Sequence, residues 1–233
     1  MSTPSRLARF HHLPSISPSL SSLPAAQRAL WPHLGEVDES FVLYGGTGLA
    51  LWLGHRESLD LDFFSAASFA PGELLDRLAW LGRLEIVKTQ ADTLVVREPG
   101  GVQVSFVGGV TLQSVAEPAI ARDNGLVVAS LHDLAGTKAK AMLDRSEWKD
   151  YVDIAALLDR GLRLPEIIAY ATTIFDQRLA FPAELFLRSL VWFGDGTAGD
   201  VPAPVQVQLR DAVRATSLSE IPVVRPYRTS IEP

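Results

Sequence analysis

The stretch LYGGTGLALWLGHRESLDLDFFS, residues 43–65, limits what this chain can fold into more than any other. FVLYGG (41–46) is a short apolar run stopped by two glycines, the pattern of a buried strand with a tight exit. TGLALWLG (47–54) follows as an apolar helix, with Thr47 near its start and Gly54 as its stop. SLDLDFF (58–64) then alternates and reads as a second strand. The expected local fold is a strand–helix–strand unit.

Alternation places Ser58, Asp60 and Asp62 on one strand face and Leu59, Leu61 and Phe63 on the other, toward a core. Carboxylates two residues apart on a strand sit about 7 Å apart at their Cα atoms. Without a cation they repel and raise each other's pKa. A divalent metal removes that conflict, and oxygen ligands suit magnesium or manganese. At the head of the helix, Gly45 and Gly46 leave backbone N–H groups free to face a phosphate, with Thr47 adding a hydroxyl and Ser58 grouped beside them. GGTG alone is a weak signal, and no Lys follows it as in a P-loop. Alternating Asp residues alone more often mark a solvated strand face. The joint pattern is far more specific. It supplies what nucleotidyl transfer requires, a held triphosphate next to a metal site.

Around this unit, residues 1–24 are rich in Ser and Pro and read as a loose arm. A helix is expected over 25–34 as far as Pro32, and another over 71–82. Strands are expected over 84–90, 93–98 and 102–107, two of them separated by PGG. After about residue 125 the pattern becomes helical, with helices over 131–145 and 149–161 and helical spacing in LPEIIAYATTIF and PAELFLRSLVWF. The expected class is α+β: a small mixed sheet with helices over 25–125, a helical half over 126–195 that completes the active-site cleft, and an irregular tail over 196–233 with a short helix near 205–215.

Composition narrows the chemistry. Cysteine is absent, which excludes disulfides and Cys-ligated zinc or iron–sulfur centres. None of the five histidines stands in an HExxH spacing. A net charge of −6 disfavours a broad nucleic-acid-coating surface and leaves room for a local basic patch. No run approaches the roughly 18 apolar residues of a membrane span. A cytoplasmic, membrane-free protein is expected.

The segment 43–65 resembles the signature of the nucleotidyltransferase superfamily with the DNA polymerase β-like fold. More closely, it is similar to the AbiEii/AbiGii-type toxin family of abortive-infection and toxin–antitoxin systems. KAKAMLDRSEWKDYVDIAALL (138–158) resembles that family's second pattern, with Lys138, Arg145, Asp150 and Asp153 on its positions and Ile154 where Leu is usual. The resemblance implies Asp60 and Asp62 as metal ligands, Lys138 and Asp153 as further catalytic residues, and Lys138 as a nucleotide contact. It also implies NTP as substrate, an RNA acceptor (notably tRNA), growth inhibition, and a cognate antitoxin. Many enzymes of the superfamily carry a third carboxylate on a later strand. Here the matching strand presents Ser105.

Two readings of the helical half stay open. Lys138, Arg145, Asp150 and Asp153 form an exposed salt-bridged hairpin worth little, or Lys138 clamps developing phosphate charge while an Asp orients the attacking hydroxyl. In the second reading Arg145 and Lys149 touch an acceptor. At the level of the whole chain, transfer to a protein or small molecule, and a catalytically silent nucleotide-binding module, remain the alternatives.

Overall fold

The computed structural model describes residues 12–175, 181–194 and 196–231. The chain divides into two compact units. The first holds Met1–Leu112, Glu117–Ser130 and Ser230–Pro233; the second holds Gln113–Ala116 and Leu131–Thr229.

The first unit is built in the order β1 (Ser15–Ile16), α1 (Ala25–Leu34), β2 (Val42–Tyr44), α2 (Gly45–Leu53), β3 (Asp60–Phe64), α3 (Pro71–Arg77), β4 (Glu85–Gln90), β5 (Thr93–Arg97), β6 (Gln103–Val107), β7 (Ala119–Ala121) and β8 (Val127–Val128). Its strands form one mixed eight-stranded sheet in the order β1-β7-β8-β2-β3-β6-β5-β4. β3 lies near the middle, antiparallel to β2 and parallel to β6. Leu61 and Phe63 of β3 enter a core with Val104 and Phe106 of β6, Leu94 and Val96 of β5, and Leu30, Trp31 and Leu34 of α1. Phe63 and Phe106 stack with ring centroids 4.9 Å apart. Burying this face fixes the register of β3, because a slip of one residue would exchange Leu61 and Phe63 for the aspartates.

The mixed sheet is larger than the sequence suggests. β1, β7 and β8 are two or three residues long and carry no periodicity to read. β1 also corrects the expected loose arm where that arm is described. Leu13, Ile16 and Leu23 are buried, Ile16 pairs with Ala121, and Ser22 donates to the carbonyl of Ala50 at 3.0 Å. Isolated apolar residues in a Ser/Pro-rich stretch are held here by tertiary contacts. The remainder of the expected arm, 1–11, lies outside the described residues.

Two helix ends also differ. α1 continues past Pro32, giving up the one hydrogen bond that an N–H there would make to the Arg28 carbonyl, and so brings Leu34 into the core. α3 stops at Arg77 because Leu78 leaves helical geometry. The chain then turns Leu78 and Leu81 inward.

The second unit contains α4 (Leu131–Asp144), α5 (Trp148–Asp159), α6 (Leu164–Ile174), α7 (Ala183–Ser189) and α8 (Ala203–Arg214). The expected domain edge at 125 moves to Ser130, because β8 pairs with β2 inside the sheet. Residues 196–229 of the expected irregular tail belong to the helical unit. Gln208 of α8 donates to the carbonyl of Ala155 at 3.2 Å and to Asp159 at 2.7 Å. Beyond α8, Thr173 donates to the carbonyl of Val224 at 3.0 Å. Among the described residues, no helix is long and apolar enough to cross a membrane.

Candidate functional site

β2 runs extended to Tyr44, and Gly45 then takes a φ of +71°, which turns the chain into α2. That left-handed conformation is open to glycine at little steric cost. The same glycine leaves room for a side chain from β3. A Cβ at Gly45 would collide with the Asp62 carboxylate, lying 3.3 Å from its Cγ. Cross-strand register explains the approach, since Tyr44 is directly opposite Asp62. At Gly46 a Cβ would lie 2.8 Å from Arg56 Nη2 and 2.9 Å from Ser58 Oγ. The two glycines at the head of α2 are thus covered by Asp62 and by Arg56 with Ser58.

Asp60 and Asp62 are both partly exposed, while Leu61 and Phe63 between and beyond them are fully buried. The face assignment read from alternation holds over β3. It fails one residue earlier. Leu59 is 55% exposed, because pairing begins at Asp60 and Leu59 precedes the sheet. On the neighbouring strand Ser105 is buried and stands in register with Asp62. It occupies the place at which a third carboxylate would face the pair.

Thr47 corrects another expectation. Its side chain is fully buried, and its hydroxyl donates to the backbone carbonyl of Asp60 and accepts from Gln27 Nε2 at 3.4 Å. The hydroxyl that was expected to add to a phosphate site faces inward. It ties the first turn of α2 to the start of β3, and so helps fix where Asp60 stands.

Among the described residues no group of three or more His, Cys, Asp or Glu side chains gathers to hold a metal. Asp60 and Asp62 are a two-carboxylate pair with hard oxygen donors. Such a pair fits magnesium, which usually takes one or two carboxylates and completes its shell with water and substrate phosphate. The glycine that makes way for the Asp62 carboxylate is consistent with that donor set.

The helical unit holds the other predicted residues together. Lys138 of α4 places Nζ 3.0 Å from Asp150 and 2.7 Å from Asp153, both on α5. Lys138 is 5% exposed at its side chain and the two aspartates are fully buried. Arg145 also reaches Asp150, with Nε 3.1 Å from one carboxylate oxygen and Nη2 3.2 Å from the other. Two cations therefore meet two carboxylates. The ion-paired hairpin is present as read, but its expected exposure is corrected. Burial makes the cluster costly to break, because a lone buried charge keeps its desolvation penalty. Lys149 pairs with Glu147 at 2.9 Å, and Arg145 approaches the same carboxylate at 3.5 Å.

Nothing in the periodicity of the sequence marks Arg56 as a site residue. The available signal was a cation on the short loop between the glycine turn and the aspartate strand. Side-chain direction across a loop has no period to reveal it.

The family model described as nucleotidyl transferase AbiEii toxin, type IV TA system, matches residues 30–222. The protein aq_aa25 of Aquifex aeolicus (strain VF5) is 30% identical over 161 residues, spanning 66% of this chain and 74% of the Aquifex one. The crystal structure of a candidate nucleotidyltransferase from H. pylori is similar with a TM-score of 0.51 at 15% identity, covering 87% of this chain and 96% of that one. The structure of JHP933 from Helicobacter pylori is similar with a TM-score of 0.51 at 16% identity, covering 87% and 93%. At such identities the structural likeness is one of fold.

Proposed function

This chain belongs to the AbiEii nucleotidyl transferase toxin family, and on that footing we propose that it moves a nucleotide from an NTP to an acceptor RNA, with tRNA the leading candidate, in a magnesium- or manganese-dependent reaction. The observation that carries the reading is the close approach of Asp62 and of Arg56 with Ser58 to the Gly45–Gly46 turn. One unit thus gathers carboxylates that would suit a metal and, over the glycine turn, polar side chains that would suit a phosphate.

In the proposed step an acceptor hydroxyl oxygen forms a bond to the α-phosphorus. The bond from that phosphorus to the bridging oxygen breaks, pyrophosphate leaves, and the hydroxyl proton passes to solvent. A divalent metal held by Asp60 and Asp62 would neutralise phosphate charge. The protein's own part is placement. Thr47 holds the Asp60 backbone, Gly45 admits the Asp62 carboxylate, and Gly46 leaves room for the Arg56 guanidinium and the Ser58 hydroxyl. The catalytic assignment of Lys138 and Asp153 rests on the family resemblance, and within the helical unit these two groups neutralise one another.

Incubation of the purified protein with labelled NTPs, magnesium and total RNA tests the reading, with label expected in RNA. Ser105 opposite Asp62 is the observation that favours the second reading, a silent nucleotide-binding module. That reading predicts NTP binding with no transfer. Membership in a toxin family also motivates the proposal of a cognate antitoxin as partner.

A further inference from the structure

Arg56 lies half-buried on the loop between α2 and β3, and its Nη1 donates to the carbonyl of Glu57 at 2.8 Å. That bond helps to orient the guanidinium, and Nη2 comes to rest over Gly46. Ser58 aims its hydroxyl at the same spot. Ser58 is 9% exposed, and no described residue meets that hydroxyl with a hydrogen bond. That hydroxyl is open to a hydrogen bond from a ligand seated over Gly46.

Electrostatics calls for a cation at this point. Asp60 and Asp62 put two negative charges beside a turn that is to receive a triphosphate. One divalent ion offsets the pair and leaves the phosphate charge to be met. A guanidinium presents a planar fork of donors suited to phosphate oxygens.

We propose that Arg56, together with Ser58, binds the terminal phosphates of the nucleoside triphosphate, the end that departs as pyrophosphate. The inference rests on the reading of the site as an NTP site. It makes the sheet unit's own cation the triphosphate-binding residue, independently of Lys138.

The test is calorimetric titration with nucleoside triphosphates, the matching monophosphates and inorganic triphosphate, all with magnesium. The proteins compared are wild type, Arg56→Ala and Arg56→Lys, with thermal denaturation confirming that each is folded. Loss of a charge-assisted contact predicts a tenfold to hundredfold weaker affinity (roughly) for triphosphates and inorganic triphosphate in Arg56→Ala. Monophosphate affinity should be unchanged, and Arg56→Lys should fall between. Equal weakening for mono- and triphosphates would mean that Arg56 only shapes the loop, and would overturn the proposal. So would an unchanged triphosphate affinity. If Arg56→Ala binds normally while Asp60→Asn abolishes transfer, the Arg56 assignment alone fails. If the wild type neither binds triphosphate nor transfers a nucleotide, the NTP reading and this inference fail together.

Discussion

Gly45 lies against Asp62 so closely that a methyl group in place of its hydrogen would strike the carboxylate, 3.3 Å from Cγ. Its φ of +71° adds a second barrier to any side chain. Gly45→Ala is therefore expected to cost about 1–3 kcal/mol of stability from backbone strain and to displace the Asp62 carboxylate. Urea denaturation reads the first effect and the rate of nucleotide transfer the second. A variant with normal stability and rate would contradict the close packing.

The buried cluster on the helical unit sets a different expectation. Lys138→Ala leaves Asp150 and Asp153 without their shared cation, though Asp150 keeps Arg145. Breaking a buried pair in this way costs about 3–5 kcal/mol. Adding Asp153→Asn to Lys138→Ala should recover part of the loss, because one uncompensated charge is removed. A loss below about 1 kcal/mol in Lys138→Ala, the magnitude of a surface ion pair, would contradict the burial. A transfer assay that compares the double variant with Asp153→Asn alone then asks whether Lys138 is needed for chemistry.

Ser105 offers a gain-of-function test of the metal assignment. Ser105→Asp adds a carboxylate in register with Asp62 on the adjacent strand, about 4.8 Å away along the hydrogen-bonding direction. Without metal the extra charge should lower the melting temperature through like-charge repulsion. With magnesium the variant should gain more than the wild type, since an ion bound only by the folded state stabilises it. A magnesium response of zero in both proteins would contradict Asp60 and Asp62 as ligands.

Asp38 supplies a pH prediction away from the site. Partial burial pushes its carboxyl up, but hydrogen bonds from the Ser40 backbone and side chain and the Arg77 guanidinium together hold it below the usual range. As pH falls, the unfolded chain takes up this proton before the folded one. The associated stability is present above the ordinary aspartate pKa of about 3.9 and is lost as pH drops through the lowered folded value. Asp38→Asn should flatten that part of the stability curve. Melting temperatures measured between pH 3 and 6 should converge for variant and wild type toward the acid end. Parallel curves would contradict the shift.

Much of this was legible in the residues themselves. The run from FVLYGG to SLDLDFF declared a strand, a helix and a strand because each period is long enough to read, and β2, α2 and β3 follow it closely. The Gly-Gly exit and the shared face of Asp60 and Asp62 followed from the same periods. What stayed hidden depends on contacts distant in sequence. β1, β7 and β8 are too short to show alternation. Ser/Pro-rich residues 12–24 are held by partners such as Ala50 and Ala121 that no local pattern announces. The inward turn of the Thr47 hydroxyl depends on where the Asp60 carbonyl falls, and the place of Arg56 depends on loop geometry. The burial of Lys138 between Asp150 and Asp153 depends on how α4 and α5 pack, whereas i, i+3 spacing shows only a shared helix face.

The most direct measurement of the central claim follows the label from two positions of one NTP. The protein is incubated with magnesium, RNA and NTP labelled at either the α- or the γ-phosphate, alongside Asp60→Asn and Asp62→Asn. The account predicts that α-label enters the RNA, that γ-label leaves in pyrophosphate, and that either substitution abolishes incorporation in a folded protein. Incorporation of γ-label, or undiminished incorporation by the Asp60→Asn and Asp62→Asn proteins, would contradict nucleotidyl transfer at this aspartate pair.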